Sequence, residues 1–257
     1  MTLTLAEYTH ILRHDLTSFI HRAFYELNPQ TAFLPAPYIE LIASKLEACR
    51  RGEIRRLIIN VPPRSLKSHC ASVVFPAWLL GHDPSATIIC VSYGQELSDK
   101  FARDTRRLIQ SPFYKALFPT RLAERQAVND FVTTKQGNRF ATSVGGVLTG
   151  RGADIIIIDD PLKPDEALSS SRRTAGNGWY DNTVLSRLND KARGCIIIIM
   201  QRLHQDDLVG HVLEQEDWEV LSLPAIAEFD QVHIIHGPFG RRDFRRVAGT
   251  ALHPERE

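Results

Sequence analysis

The chain has 257 residues, 43% of them hydrophobic and 24% charged, enough for one large or two small soluble domains whose core needs no staples. A formal net charge of +1 excludes a global basic field, so any nucleic-acid surface has to be a local patch. Cys49, Cys70, Cys90 and Cys195 form no CxxC pair, the histidines form no HExxH, and neither a membrane-length apolar run nor a signal-peptide pattern occurs; the expectation is a cytoplasmic protein with buried free thiols, without zinc or disulfides.

Leu5 to Leu27 carries Ile11, Leu12, Leu16, Phe19, Ile20, Phe24 and Leu27 at helical spacing, which predicts one helical stretch ended by Asn28-Pro29. Pro35-Ala36-Pro37 reads as a turn. A second helix follows with Tyr38, Leu41, Ile42, Leu46 and Ala48 on one side. An element just ahead of a phosphate loop often packs on a nucleotide base, so Tyr38 is a candidate for that contact, with a core or surface aromatic as the alternative.

Leu57-Ile58-Ile59-Asn60-Val61 reads as a short apolar strand, Pro62-Pro63-Arg64-Ser65-Leu66 as a tight turn, and Lys67-Ser68 as the opening of a helix from His69 to Leu80 that Gly81 ends. Strand, loop, Lys-Ser, helix is the layout of a phosphate-binding loop. A helix N-terminus offers unpaired N–H groups and partial positive charge to phosphate, the lysine adds a mobile cation, and the hydroxyl can ligate Mg²⁺. The common pattern is G-x-x-x-x-G-K-[ST], and here Val61 and Leu66 stand where its glycines would be. A plain surface turn is the alternative.

Thr87-Ile88-Ile89-Cys90-Val91 is a buried-type strand, and Ser92-Tyr93-Gly94 turns into a helix from Gln95 to Ile109. Its outer face carries Lys100, Arg103, Arg106 and Arg107, which suits either a phosphate backbone or plain solvent. Ser111-Pro112 starts a short element that ends at Phe118-Pro119, and a polar connection follows. Phe131 to Thr134 and Asn138 to Thr142 form a hairpin around Gln136-Gly137. Gly145, Gly146, Gly150 and Gly152 then crowd one segment, which implies special backbone angles or close backbone approach.

Ala153 to Pro161 holds Ile155-Ile156-Ile157-Ile158 and then Asp159-Asp160. Four isoleucines in a row predict a strand buried on both faces, as in a parallel sheet. Acids at the C-terminal end of such a strand lie where open α/β sheets bind ligands. This is the composition of a Walker B element, with the first acid for Mg²⁺ and the second to orient or deprotonate the attacking water. Most such ATPases carry Glu second, whereas this chain has Asp160. Glu166 to Leu188 reads as helical with a break near Gly176-Asn177-Gly178; Cys195 to Met200 is a second doubly buried strand, ending in Gln201-Arg202. Asp206-Asp207 caps a helix to about Glu216, Trp218 to Leu221 is a last strand candidate, and the pattern decays beyond Pro224.

Taken together, Asn60 to Ser68, Val91-Ser92-Tyr93, Leu148 to Asp154, Ile158 to Pro161 and Met200 to His204 with Asp206-Asp207 resemble the ATPase domain of phage terminase large subunits, the motors that package viral DNA. The resemblance runs from Pro35 to Leu223 in consistent order. It implies an α/β fold of the P-loop NTPase (ASCE) type, with a mostly parallel central sheet flanked by helices. It implies a helical segment over 1–34, an ATPase domain over 35–223 and a linker over 224–257 toward a nuclease domain that these residues do not contain. The chain then reads as a fragment or one half of a split gene, expected to hydrolyse ATP without cutting DNA.

By position, the resemblance makes Arg64 the phosphate-loop arginine and puts Ser65, Lys67 and Ser68 on the phosphates. Ser68 and Asp159 would hold Mg²⁺, Asp160 would be the catalytic acid, and Gln201 and Arg202 would couple hydrolysis to movement. Arg151 is a candidate arginine finger toward a neighbouring subunit's ATP, or a contact to the DNA backbone. The implied partners are double-stranded DNA, a small terminase subunit, a portal protein and further copies in a ring, in the host cytoplasm. Two other readings stand beside this one: a helicase-like DNA-dependent ATPase, and a non-hydrolysing prophage remnant that binds DNA or a partner.

Overall fold

Two runs of four isoleucines, Ile155 to Ile158 and Ile196 to Ile199, build the centre of the molecule, because β-branched side chains fit a pleated surface covered on both sides. A computed structural model describes residues 3–124, 126–238 and 240–253. Three helices come first: α1 (Leu5–His14), α2 (Leu16–Leu27) and α3 (Pro37–Arg50). Strand β1 (Arg56–Asn60) leads through the phosphate-loop segment into a π-wound turn, His69–Val74, that runs on as α4 (Phe75–His82). Strand β2 (Thr87–Ser92), α5 (Gln95–Gln110), α6 (Pro112–Leu117), the pair β3 (Asp130–Val132) and β4 (Asn138–Ser143), and β5 (Ile155–Asp159) follow. Then come α7 (Ser170–Trp179), β6 (Cys195–Met200), α8 (Leu208–Leu213), β7 (Glu219–Ser222) and the hairpin β8 (Gln231–Gly237) and β9 (Gly240–Arg246).

Seven strands form one sheet in the order β3-β4-β2-β5-β6-β1-β7. Every pairing in it is parallel except β3 with β4. The isoleucine runs of β5 and β6 lie side by side, Ile156 against Ile196 and Ile158 against Ile198. Alternation divides them between two cores. Ile58, Ile156, Ile158, Ile196 and Ile198 face a layer with Tyr180, Val184 and Val209, while Leu57, Ile59, Ile157, Ile197 and Ile199 face the layer of α2, α3 and α4. Each such side chain contributes on the order of 2 kcal/mol by leaving water. All four cysteines are buried free thiols.

The structure departs from the sequence expectations in five places. The first helical stretch breaks at Asp15, whose carboxylate accepts from the N–H groups of Thr17 and Ser18 and so caps α2. The helix after the phosphate loop begins π-wound and runs through Gly81 to His82. Gly81 is a packing glycine, because a Cβ there would lie 2.7 Å from the Phe118 ring. No break occurs at Gly176-Asn177-Gly178, and α7 passes into a π turn at Tyr180–Val184. Helix α8 stops at Leu213, short of Glu216. Beyond Pro224, where the pattern decays, the chain forms β8 and β9. That hairpin docks on α3 through the His236 N–H to Ser44 Oγ (3.1 Å) and an Arg242–Glu40 ion pair. The end of the expected linker, from Pro254 onward, lies outside the described residues.

Candidate active site

Parallel order places the C-terminal ends of β1, β2, β5 and β6 along one edge, where the loops after the strands meet. The phosphate-loop segment follows β1, and Asp159-Asp160 ends β5 two strands away. Lys67 Nζ lies 2.6 Å from Asp160 Oδ2. Ser68 Oγ donates to Asp159 Oδ1 at 3.1 Å, and Ser72 Oγ donates to Oδ2 of the same carboxylate at 2.6 Å. The Gln201 backbone N–H, at the end of β6, donates to Asp160 Oδ1 at 3.2 Å. Lys67, Ser68, Asp159, Asp160 and Gln201 thus converge, as the motif order implied.

The backbone here is strained. Arg64, Leu66 and Asp160 have φ of +59°, +58° and +45°. Non-glycine residues cost on the order of 1 to 3 kcal/mol in that region and concentrate at functional sites. The angle at Leu66 shows why the common pattern has Gly there: the loop needs a left-handed residue at this position. Ser65 is fully buried, and its hydroxyl donates to the Pro62 carbonyl at 2.7 Å, so it braces the loop from inside. Arg64 is exposed beside it.

Asp159 is buried, and burial, followed by the like charge of Asp160, pushes its carboxyl up to about 6; Ser72, Lys67 and Ser68 oppose the rise. A buried carboxylate beside a hydroxyl is a hard-oxygen pair of the kind Mg²⁺ takes, and Asp159 with Ser68 fits it.

Three expected residues stand apart. Arg151 pairs with Asp130 at 2.8 Å and lies over the Phe140 ring at 3.8 Å, toward the β3–β4 edge of the sheet. Arg202 is turned to Asp207 (Nε to Oδ2, 2.8 Å) and to the carbonyls of His204 and Gln205. Asp207 also accepts from the Gly210 N–H, so Arg202 is fastened to the cap of α8. Tyr38 is 2% exposed and its hydroxyl bonds His253 Nε2 at 3.0 Å. It lines a cleft of about 400 Å³ with Phe244, Val247 and Leu252. Ser72 is the site residue that the sequence reading missed. The signal was present, since Ser72 lies four residues after Ser68 and so on the same helix face.

No family model and no curated protein matches the sequence. Solved structures do. The large terminase of bacteriophage HK97 superposes with a TM-score of 0.51 at 13% identity, over 82% of this chain and 43% of the terminase. Dbp5 of S. cerevisiae, in a complex that contains ADP, superposes with a TM-score of 0.50 at 13% identity, over 79% of this chain and 51% of Dbp5. The chain shares with these structures a mixed α/β fold built on a mostly parallel central sheet. It spans less than half the length of the HK97 terminase. At such identities the likeness is one of fold. Among the described residues no helix is long and apolar enough to cross a membrane.

Proposed function

We propose that this chain is the ATP-hydrolysing motor domain of a DNA-packaging terminase large subunit. The observation that carries the reading is the convergence of Lys67, Ser68, Asp159 and Asp160 at the strand ends, on a loop strained in the way phosphate binding requires. Mg²⁺ held by Ser68 and Asp159 would neutralise charge on the phosphate oxygens. Lys67 binds the terminal phosphates on leaving Asp160. That exchange frees Asp160 to orient the attacking water and accept its proton. The Gln201 N–H on Asp160 ties the same carboxylate to β6, and Arg202 ties the following loop to α8, so loss of the terminal phosphate is passed to a helix.

Double-stranded DNA is the proposed track, and α5 offers one surface for it. On that helix Lys100, Arg103 and Arg107 are exposed, although Lys100 also pairs with Asp104 at 2.7 Å, and Arg106 reaches the Ala127 carbonyl. A small terminase subunit, a portal protein and a ring of further copies in the host cytoplasm complete the proposed setting. The nucleotide base belongs, in this reading, in the cleft beside Tyr38, whose wall is joined to the end of β1 through the bond from Leu252 N–H to Ala225 and from Leu223 N–H to Asn60.

The test separates binding from chemistry. Asp160→Asn keeps the oxygen that accepts from Gln201 but loses the proton acceptor. It is expected to bind ATP like the wild type and to turn it over at least about 100-fold more slowly. Equal turnover by Asp160→Asn and wild type contradicts the assignment. Stimulation of wild-type turnover by double-stranded DNA supports the motor reading; turnover indifferent to DNA argues against it.

A further inference from the structure

The Walker B carboxylate has two oxygens, and the proposed Mg²⁺ site uses only the one that faces Ser68. The other is held by Ser72, which is 1% exposed and donates at 2.6 Å. The winding of the helix makes this contact possible. Pro76 has no N–H, and its ring clashes with the carbonyl four residues earlier, which is that of Ser72. The chain responds with a π turn over His69–Val74, in which the Phe75 N–H reaches back to Cys70. Side chains from neighbouring elements take the carbonyls of this turn. Arg139 Nη2, from β4, donates to the Ser72 carbonyl at 3.0 Å, and Thr105 Oγ1, from α5, donates to that of Val73 at 3.1 Å. Arg139 is fully buried; its other polar surroundings are the Cys90 thiol and the more distant charge of Asp104, and no carboxylate forms an ion pair with it among the described residues. Burying a guanidinium with so little compensation is expensive, so its place needs a reason.

We propose that Ser72 is a positioning residue for Asp159, and that Arg139 and Pro76 fix Ser72 by holding the π turn. The hydroxyl on Oδ2 stops the carboxylate from rotating and leaves Oδ1 aimed, beside Ser68, at the cation. The inference rests on the ATPase reading above. Partners of this outer kind are worth about 10- to 100-fold in metal affinity.

The test is a Mn²⁺ titration of the full chain with ADP, followed by electron paramagnetic resonance. Affinity for ADP in EDTA is measured in parallel with a fluorescent analogue, and folding is checked by thermal melting. Ser72→Ala is expected to weaken Mn²⁺ about tenfold and to leave metal-free ADP binding unchanged, and Ser72→Thr, which keeps the hydroxyl, to restore it. Pro76→Ala supplies the missing N–H, relaxes the π turn and is expected to weaken Mn²⁺ in the same direction, so it carries the test if Ser72→Ala does not fold. Folded variants that bind Mn²⁺ like the wild type overturn the positioning role. A wild-type chain that binds neither ADP nor Mn²⁺ overturns the ATPase reading instead.

Discussion

Leu66 carries two opposed effects in one residue. Its side chain packs against the main core, which stabilises the loop, while its backbone at φ +58° strains it. Leu66→Ala loses the packing and keeps the strain; Leu66→Gly loses the packing and the strain together. Denaturant unfolding is therefore expected to rank Gly above Ala by about 1 kcal/mol, and the reverse order contradicts a strained loop. The convergence of Lys67, Ser68, Asp159 and Asp160 was legible in the sequence because each sits in a local motif at the end of an apolar strand. Ser72 shows in the sequence only as a serine four residues after Ser68; the π winding at Pro76 that brings its hydroxyl onto Asp159 leaves no such motif. Tyr38 reads the same from sequence whether it stacks on a base or fills a core; the structure adds that it is buried and bonded to His253.

At the scale of elements, the isoleucine runs identified β5 and β6 almost to the residue, since a strand buried on both faces has no polar interruption. The β8–β9 hairpin was illegible for the opposite reason. Its outward face mixes Val232, Asp243 and Arg245, and its docking depends on α3, far away in sequence. The π turn has a further consequence at His69. Its ring packs edge-on against Phe24, and burial pulls its pKa from 6.5 down to about 4. The folded state holds this ring neutral, whereas the unfolded chain takes a proton near 6.5. Its contribution to stability is complete above pH 6.5 and is lost as the pH falls toward about 4. Asp159, raised to about 6, titrates in the opposite sense, so the comparison has to be with a variant rather than with the raw melting curve. Across that window the wild type is expected to lose more melting temperature than His69→Gln. Parallel curves contradict a His69 held neutral in the folded state.

Across the whole molecule, sheet order brings together residues from three separate stretches of chain, those after β1, β5 and β6. Arg151 is the exception that sheet order does not explain. Its pairing with Asp130 and Phe140 holds it toward the β3–β4 edge, away from the Lys67–Asp160 pair. If it serves a neighbouring copy's nucleotide, Arg151→Ala lowers turnover only at concentrations where copies associate. Loss of turnover in a verified monomer contradicts that role. If the strand-end cluster hydrolyses ATP, the purified chain releases phosphate in a Mg²⁺-dependent reaction, and the folded Lys67→Ala variant does not. Equal phosphate release from both, or none from a wild type given Mg²⁺, DNA and high protein concentration, contradicts it.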